Sequence, residues 1–297
     1  MIAKPRLAEL ALASVCLLWG GTFVLVKNAL NDISPALFIG IRFTLAASIL
    51  AVVLGLRSHR DMKGKGSSRK WFGGILVGLF LFAGYFLQTL GLRFTSAAKS
   101  GFLTGLYIIL VPLLAAAVYR KAPGIAEWIG VSFATVGIGL LTLTTTRFEI
   151  SLGDGLTMGC AFAFAVHILL VSKYSRQMSP EWLTLLQVAT CGFISLGTCR
   201  LLEAPFVRWT PAVILAIGIT SVLATALALF VQTWGQQYTS ATRAALIFSL
   251  EPVFAWLTSY VFEQEVLTRQ AMAGAACILA GILIVELKPI RLTKLYN

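Results

Sequence analysis

The sequence predicts an all-α integral membrane protein with ten transmembrane helices, arranged as two inverted five-helix repeats. Three observations predict this fold: an apolar composition, apolar runs of bilayer-spanning length and an internal repeat. Hydrophobic residues occupy 58% of the 297 positions and charged residues only 12%, whereas about a quarter of the residues in a soluble globular chain are charged. The bilayer is therefore the solvent in which this chain must be understood.

Ten apolar runs follow one another with only short polar connections between them. Each is close to the roughly 20 residues that a helix needs to cross the hydrocarbon core. The first run is longer than a signal-peptide core and has no small-residue cleavage site, so we expect a span rather than a cleaved signal. The predicted spans are residues 7–30, 35–56, 71–92, 97–119, 125–146, 153–173, 180–202, 211–236, 240–262 and 269–288.

The net charge of +12 resides mainly in short loops, and six basic residues crowd the connection between the second and third runs. Lysine and arginine are about twice as frequent on that side of the membrane as on the other, so the positive-inside rule predicts cytoplasmic N- and C-termini. We expect a multi-pass protein of the bacterial inner (plasma) membrane. Aromatic residues are not interleaved with the basic ones, as a nucleic-acid surface requires, so we expect no nucleic-acid partner.

The sequence lacks the reactive motifs of an intramembrane enzyme. It contains no H-E-x-x-H, no G-x-S-x-G and no paired aspartates within the spans. The five cysteines lie in apolar runs without C-x-x-C spacing, and we interpret them as packing residues. We therefore expect no enzymatic activity, no cofactor and no metal.

An internal repeat relates the two halves at a spacing of 144 to 145 residues. Residues 87–99 match residues 231–243 with six identities in thirteen positions. Further matches pair Ser34-Pro35 with Ser179-Pro180, Gly130 with Gly274 and Gly137 with Gly281. Pro112 pairs with Pro252 if the fourth helix of the first half has four extra residues. We place the two repeats at residues 1–148 and 149–297.

Five spans per repeat is an odd number, so each repeat ends on the opposite side of the membrane from its start. The second repeat must then be inverted relative to the first. Inverted repeats are the architecture of many secondary transporters, in which substrate binds near the midplane and access alternates between the two faces. The alternative is a duplicated membrane domain without a transport role. An ion channel would instead repeat its pore residues around an axis normal to the membrane.

Four residues lie about ten or eleven positions into their spans, which places them near the midplane. They are Trp19, Tyr107, Phe164 and Glu251. Trp19 and Phe164 are equivalent in the repeat, so together they can form stacking walls for a planar or amphipathic ligand. Core packing or contact with lipid is the alternative for each aromatic residue. Tyr85 can also reach into a central cavity.

Ionisable residues within spans are functional candidates by default. His167 lies one helical turn from Phe164 and can bind substrate or exchange a proton; the alternative is a neutral histidine bonded to a neighbouring helix. Glu251 precedes a mid-membrane proline, and we expect it to be protonated or paired, for proton coupling or for a structural bond between helices. Its counterpart under the proline alignment is Val111. For Arg42 we favour a structural role at the outer interface, which its long side chain reaches by snorkelling.

The repeated Gln-Thr-x-Gly motif leads into a tight Thr-Ser-Ala turn in each half. Inversion places one such hairpin at each membrane face, where the gates of an alternating-access carrier belong. The alternative is a pair of well-made turns with small residues for close packing. The candidate gate or hairpin residues are Gln88, Thr95, Ser96, Gln232, Thr239 and Ser240.

Several segments resemble the EamA-type carriers of the drug/metabolite transporter superfamily. They are Leu18-Trp19-Gly20-Gly21-Thr22-Phe23, Ile41-Arg42-Phe43 and Ser249-Leu250-Glu251-Pro252. The resemblance implies a basket-shaped fold in which helices 1, 3, 4, 6, 8 and 9 surround a central cavity and helices 2, 5, 7 and 10 are more peripheral. It also implies export of amino acids or other metabolites, with the YddG-like amino-acid exporters as the most similar branch. Trp19 and Tyr85 would then be cavity aromatics.

The sequence thus predicts a secondary transporter of small metabolites that works by alternating access and exports amino acids. Efflux of cationic drugs or other metabolites is the alternative within carriers, and it requires Glu251 to face the cavity. An intramembrane enzyme is the alternative from another class. The expected partners are a small-molecule substrate and the lipid bilayer, and we expect a monomer or a weak homodimer.

Overall fold

A computed structural model describes residues 4–57, 68–95, 97–120, 123–142, 151–263 and 268–286. In these residues the chain forms ten helical spans, and the expected all-α membrane fold is confirmed. Seven spans, α1 to α4 and α6 to α8, meet the length and hydropathy needed to cross a bilayer, and α5 and α10 are shorter apolar helices. The spans are α1 Lys4–Ala29, α2 Pro35–Arg57, α3 Ser68–Gly91, α4 Ala97–Gly105 with Tyr107–Tyr119, α5 Ile125–Thr142, α6 Leu152–Tyr174, α7 Pro180–Leu202, α8 Pro211–Gly235, α9 Ala241–Phe248 with Glu251–Glu263, and α10 Arg269–Glu286.

Hydroxyl side chains and prolines fix the starts of several helices. Ser151 caps α6, and its capping box is completed by the Asp154 carboxylate, which accepts from the Ser151 backbone N–H at 2.7 Å. Ser179 and Thr210 cap α7 and α8, and each precedes a proline in the first turn. A proline suits that position because it has no N–H to leave unpaired. These local signals explain why the predicted starts lie within about three residues of the observed ones.

Glycines at the contact between α5 and α10 show the inverted symmetry. A Cβ atom added at Gly281 would lie 2.6 Å from the Gly130 carbonyl oxygen, and one added at Gly137 would lie 2.6 Å from the Gly274 oxygen. Gly130 and Gly274 are repeat equivalents, as are Gly137 and Gly281. A two-fold rotation therefore exchanges the two contacts. Residue numbers rise along α5 from one contact to the other and fall along α10, so the two helices are antiparallel. The repeats are inverted relative to each other.

Two further helix pairs repeat this relationship. A Cβ at Gly91 of α3 would lie 3.1 Å from the Gly153 carbonyl oxygen of α6, and a Cβ at Gly235 of α8 would lie 3.4 Å from the Ala8 oxygen of α1. These positions differ by 144 residues between α3 and α8 and by 145 between α1 and α6. The same spacing that relates the sequences therefore relates the helix contacts.

Helices α4 and α9 are each broken near their middle. Their second segments begin at Tyr107 and Glu251 and contain 13 residues each, so the two breaks are 144 residues apart. The expected four-residue insertion in α4 is therefore wrong, and the counterpart of Glu251 is Tyr107 rather than Val111. Pro112 lies inside its segment, whereas Pro252 lies in a first turn, where proline is tolerated. The two prolines are not equivalent.

Helix α8 departs from the symmetry in its central part. Residues Thr220–Leu227 form a π-helix between the α-helical segments Pro211–Ile219 and Ala228–Gly235. Its repeat counterpart α3 is an uninterrupted α-helix over Ser68–Gly91. Wider π-turns are rare and often mark functional positions. The π-segment faces α1 and α2 and accepts hydrogen bonds from residues of both helices.

Candidate functional site

A cavity of about 70 Å³ lies between helices α1, α2, α3, α4, α6, α8 and α9. Small-molecule sites often lie between the helices of a bundle. The resemblance implied a peripheral α2, but α2 contributes Arg42 to the lining. All six predicted cavity residues line it, namely Trp19, Tyr85, Tyr107, Phe164, His167 and Glu251.

Aromatic rings form much of the cavity wall. Trp19 packs edge-on against Phe248, with ring centroids 5.5 Å apart, and Tyr85 packs edge-on against Phe164 at 5.3 Å. Edge-to-face contact is a preferred geometry for aromatic pairs and holds the rings in place. Sequence reasoning found three of the four rings but missed Phe248, because its repeat counterpart is Thr104 and no motif marks it.

Arg42 corrects the sequence interpretation, since it does not reach the outer interface. Its residue is only 4% exposed, and its guanidinium lies 4.9 Å from the centroid of the Tyr85 ring. The Arg42 Nε donates a hydrogen bond to the Thr225 hydroxyl at 2.6 Å. The side chain turns inward because α8 offers acceptors there, which a sequence-based depth estimate does not reveal.

The π-segment of α8 supplies a carbonyl group that two cavity residues share. The Ala224 oxygen accepts a hydrogen bond from Trp19 Nε1 at 2.9 Å and another from an Arg42 Nη at 3.3 Å. A buried arginine needs such partners, because an unpaired buried charge is costly. The shared acceptor therefore fixes the indole ring and the guanidinium next to each other.

Glu251 brings the opposite charge into the same cavity. It is the first residue of the second segment of α9, and its side chain is half-buried. Among the residues that the structure describes, none forms a hydrogen bond or an ion pair with its carboxylate, which lines the cavity. An ionisable group within a membrane-spanning bundle is expensive and usually serves a function. The carboxylate is thus available to a ligand.

His167 belongs to a hydrogen-bonded chain that crosses three helices. Its Nε2 lies 2.8 Å from the Gln187 Oε1, and the Gln187 Nε2 donates to the Thr233 hydroxyl at 3.0 Å. The Thr233 hydroxyl in turn donates to the Leu229 carbonyl oxygen at 2.7 Å. This arrangement matches the interpretation of a histidine bonded to a neighbouring helix. It also fixes the ring at the cavity wall with Nε2 directed away towards Gln187.

The predicted gate residues divide into two groups. Gln88 and Gln232 line the cavity rather than the hairpins, and Gln88 Nε2 donates to the Thr104 hydroxyl at 3.3 Å. The Gln232 side-chain oxygen is buried and has no hydrogen-bond partner in the described part of the chain. The symmetric position of Thr104 is the apolar Phe248, which offers the Gln232 Nε2 no acceptor like the one that the Gln88 Nε2 has.

The other gate residues lie in the hairpins. The Thr95 hydroxyl donates to Asp154 at the start of α6, over 2.8 Å. The Ser240 hydroxyl caps α9, and the Thr239 carbonyl accepts a hydrogen bond from Arg176 at 3.2 Å. Ser96 lies outside the described residues. These contacts attach the α3–α4 hairpin to α6 and the α8–α9 hairpin to the end of α6.

The cavity differs at its two ends. The face at which α1 begins is called the N-terminal face below. A cluster of buried apolar residues from α1, α4, α6 and α9 lies towards that face and shares Tyr107, Ile168 and Phe248 with the cavity lining. In α1 the lining residues run from Trp19 only towards the far end, as far as Val26. In α3 they reach Leu92, just beyond the helix end. The cavity therefore extends towards the opposite face.

The EamA-like transporter family matches this chain twice, at residues 6–143 and 151–287. An uncharacterized transporter of Archaeoglobus fulgidus is 35% identical over 96% of the chain and 87% of its own length. The uncharacterized transporter YvbV of Bacillus subtilis is 26% identical, with 97% and 93% covered. A solved crystal structure superposes with a TM-score of 0.76 at 18% identity, over 94% of this chain and 96% of that one. The chain belongs to the EamA-like transporter family.

Proposed function

We propose that this protein is a secondary transporter that exports amino acids by alternating access. The observation that carries the proposal is the presence of Arg42 and Glu251, two opposite charges, in one otherwise largely apolar cavity. In the described part of the chain, these two side chains do not form an ion pair with each other. An amino acid is a zwitterion, so it offers each of these charges a partner.

The chemistry of each group assigns it a role. The guanidinium of Arg42 presents donors that suit a carboxylate, and the Glu251 carboxylate accepts from an ammonium group. Hydrogen bonds to charged groups contribute about 1.5–3 kcal/mol each. The rings of Trp19, Phe164 and Phe248 then surround an apolar side chain of the substrate. The cavity therefore suits a neutral amino acid with an apolar side chain.

Efflux of cationic drugs is the alternative within carriers, and one observation favours it. That alternative requires Glu251 at the cavity, and Glu251 lines it. Arg42 argues against it, because a second positive charge in the same cavity repels a cation unless a carboxylate accompanies it. Zwitterions satisfy both charges, whereas cations satisfy one.

The proposal includes an orientation in the membrane. The distribution of lysine and arginine supports cytoplasmic N- and C-termini in a bacterial inner membrane, so the closed N-terminal face would be cytoplasmic and the cavity would open outwards. The family matches at residues 6–143 and 151–287 support repeats at 1–148 and 149–297. We further propose that the protein has no enzymatic activity and acts as a monomer or a weak homodimer.

Counterflow in liposomes tests the substrate class. Purified protein is reconstituted in vesicles preloaded with unlabelled leucine, and entry of labelled leucine, its amide (no carboxylate) and N-acetyl-leucine (no ammonium) is measured. Wild-type protein should exchange leucine and reject both derivatives. Arg42→Gln should reduce leucine exchange about tenfold or more but leave the low rate for the amide unchanged, because the amide lacks the group that Arg42 binds. Glu251→Gln should likewise reduce leucine exchange but leave the low rate for N-acetyl-leucine unchanged.

Arg208→Gln provides the matched control, since it makes the same change in the loop before α8, outside the cavity lining. It should leave all three rates unchanged. Saturable exchange of quaternary ammonium compounds, without exchange of leucine or any other amino acid, would reject the amino-acid proposal in favour of cation efflux.

A further inference from the structure

The floor of the cavity is a compact apolar cluster, called here the N-terminal seal. Six residues represent it in the comparison below, and each of them is at most 4% exposed. They come from α1, α6 and the first segment of α9, and Tyr107 of α4 packs with them at 5% exposure. The six residues are Leu12, Cys16, Ala165, Ile168, Ile247 and Phe248.

Inverted symmetry identifies the residues that would form the same seal at the opposite face. Positions in α1 and α6 correspond at a spacing of 145, and positions in α4 and α9 at a spacing of 144. The matching contacts of Gly91 with Gly153 and of Gly235 with Ala8 support the first spacing. The equal helix breaks at Tyr107 and Glu251 support the second. The equivalents of the six residues are Thr157, Ala161, Gly20, Phe23, Leu103 and Thr104.

The two sets differ in size and polarity. Thr157 replaces Leu12, Gly20 replaces Ala165, and Thr104 replaces Phe248. Phe23 and Thr104 line the cavity, and both Phe23 and Leu103 are half-buried. A seal of smaller and more polar side chains buries less apolar area, and the free energy of closure follows that area. The conformation with the N-terminal seal formed is therefore intrinsically favoured.

The largest difference concerns the equivalent of Tyr107. Because Tyr107 packs in the N-terminal seal, the symmetric seal would enclose Glu251 between apolar groups of α1 and α6. A carboxylate enclosed in that way without a partner is strongly unfavourable. A tyrosine ring in the same position carries no such penalty.

We propose that Glu251 couples occupancy of the cavity to closure of the opposite face: that seal forms only when a positive charge, from a proton or from the ammonium group of a substrate, neutralises the carboxylate. The inference rests on the proposed alternating access and not on the identity of the substrate. An empty carrier then keeps its N-terminal seal and its open cavity. Binding of a positive charge removes this obstacle. The loaded carrier can then close the opposite face, whereas the empty carrier cannot.

Thiol labelling measures this equilibrium without transport. Val26→Cys, in a background whose native cysteines are alanine, reports on the open end of the cavity, and native Cys16, retained alone, reports on the N-terminal seal. In liposomes without substrate, the protein with Glu251 intact should label rapidly at position 26 and slowly at Cys16. Glu251→Gln should slow labelling at position 26 and accelerate it at Cys16, by about tenfold or more in each case.

Two exchanges between the seals give an independent test. Thr104→Phe enlarges the opposite seal, and Phe248→Thr weakens the N-terminal seal, so both should shift labelling in the same direction as Glu251→Gln. The matched control is Glu181→Gln, the same chemical change in the first turn of α7, away from the cavity. It should leave both labelling rates unchanged. Unchanged labelling in Glu251→Gln and in both exchanges would overturn the inference.

Two further conditions separate the sources of positive charge. Other titratable or charged groups around the cavity are Arg42, Tyr85, Tyr107 and His167 from the lining, and Cys16 and Cys160 beside it. Labelling at position 26 is therefore repeated with His167→Gln, at neutral pH with leucine and at acidic pH without it. If only acid slows labelling at position 26, a proton neutralises Glu251. If only leucine slows it, the ammonium group of the substrate does so. If acid or leucine still slows labelling at position 26 in the Glu251→Gln variant, compared with the same variant untreated, the role of Glu251 is contradicted.

The outcomes remain distinguishable from those of the substrate test. Loss of leucine exchange with a normal shift in labelling would reject the amino-acid proposal and keep the coupling role. Normal selectivity towards the leucine derivatives without any shift in labelling would keep the amino-acid proposal and reject the coupling role of Glu251.

Discussion

Tyr107 and Glu251 occupy the same position in the two repeats, and both line the central cavity. Each is the first residue of the second segment of a broken helix, α4 or α9. One is a neutral ring packed into an apolar cluster, and the other is a carboxylate with no hydrogen-bond partner among the described residues. The two halves of the molecule thus share a backbone arrangement but differ in chemistry at the site itself.

The glycine contacts between α5 and α10 should be necessary for stability. Gly281→Ala places a methyl group 2.6 Å from a backbone oxygen, which cannot yield as a side chain can. Overpacking of this kind costs about 1–3 kcal/mol. We expect that loss in the free energy of unfolding, measured in mixed micelles with increasing denaturing detergent.

The control is Gly197→Ala in α7, where a Cβ atom meets nothing within 4 Å. Alanine there should be neutral or stabilise the helix by about 0.5–1 kcal/mol. An equal loss of stability in both variants would contradict the close approach of α5 and α10.

Thr225 should hold Arg42 in place. Thr225→Val removes the acceptor of the Arg42 Nε hydrogen bond but preserves shape, so it leaves a buried donor unpaired at a cost of about 1–3 kcal/mol. Thr225→Ser retains the hydroxyl and should cost far less. We expect the valine variant alone to lower unfolding stability and to raise the KM for leucine exchange. Identical behaviour of the two variants would show that the hydroxyl contributes nothing.

The chain from His167 through Gln187 to Thr233 should behave as a unit. His167→Ala and Thr233→Val each remove one end of it, so their effects on unfolding free energy should be non-additive, with an interaction energy of about 0.5–3 kcal/mol. Ser48→Ala, at an exposed hydroxyl that bonds only within α2, should combine additively with His167→Ala. Additivity in the first pair would argue against the chain.

The membrane orientation is testable with fusions at the C-terminus. Green fluorescent protein folds and fluoresces when it remains in the cytoplasm, whereas alkaline phosphatase is active only when exported. The excess of basic residues on the proposed inner side predicts a fluorescent fusion and an inactive phosphatase. A fusion after residue 204, between α7 and α8, should give the opposite result. Matching results at both sites would reject the orientation.

Much of the fold could be predicted from local signals. Apolar runs of bilayer length and proline or hydroxyl residues at helix starts located the spans, because a helix in lipid must satisfy its backbone within its own segment. The 144-residue spacing predicted the inverted repeat, and depth along the helices identified four residues that line one cavity, Trp19, Tyr107, Phe164 and Glu251. Helix α4 shows the limit, since Pro112 suggested an insertion although the break lies at Leu106.

The sequence by itself determined the number of spans, the repeat and the depth of the candidate residues, because these depend on composition and on distance along one helix. Only the tertiary structure decided which way each side chain points. Arg42 turns inward because the π-segment of α8 offers it the Thr225 hydroxyl and the Ala224 carbonyl. It also decided which of the two symmetric sets of residues packs as a buried apolar cluster, because that depends on contacts between helices that are distant in the chain.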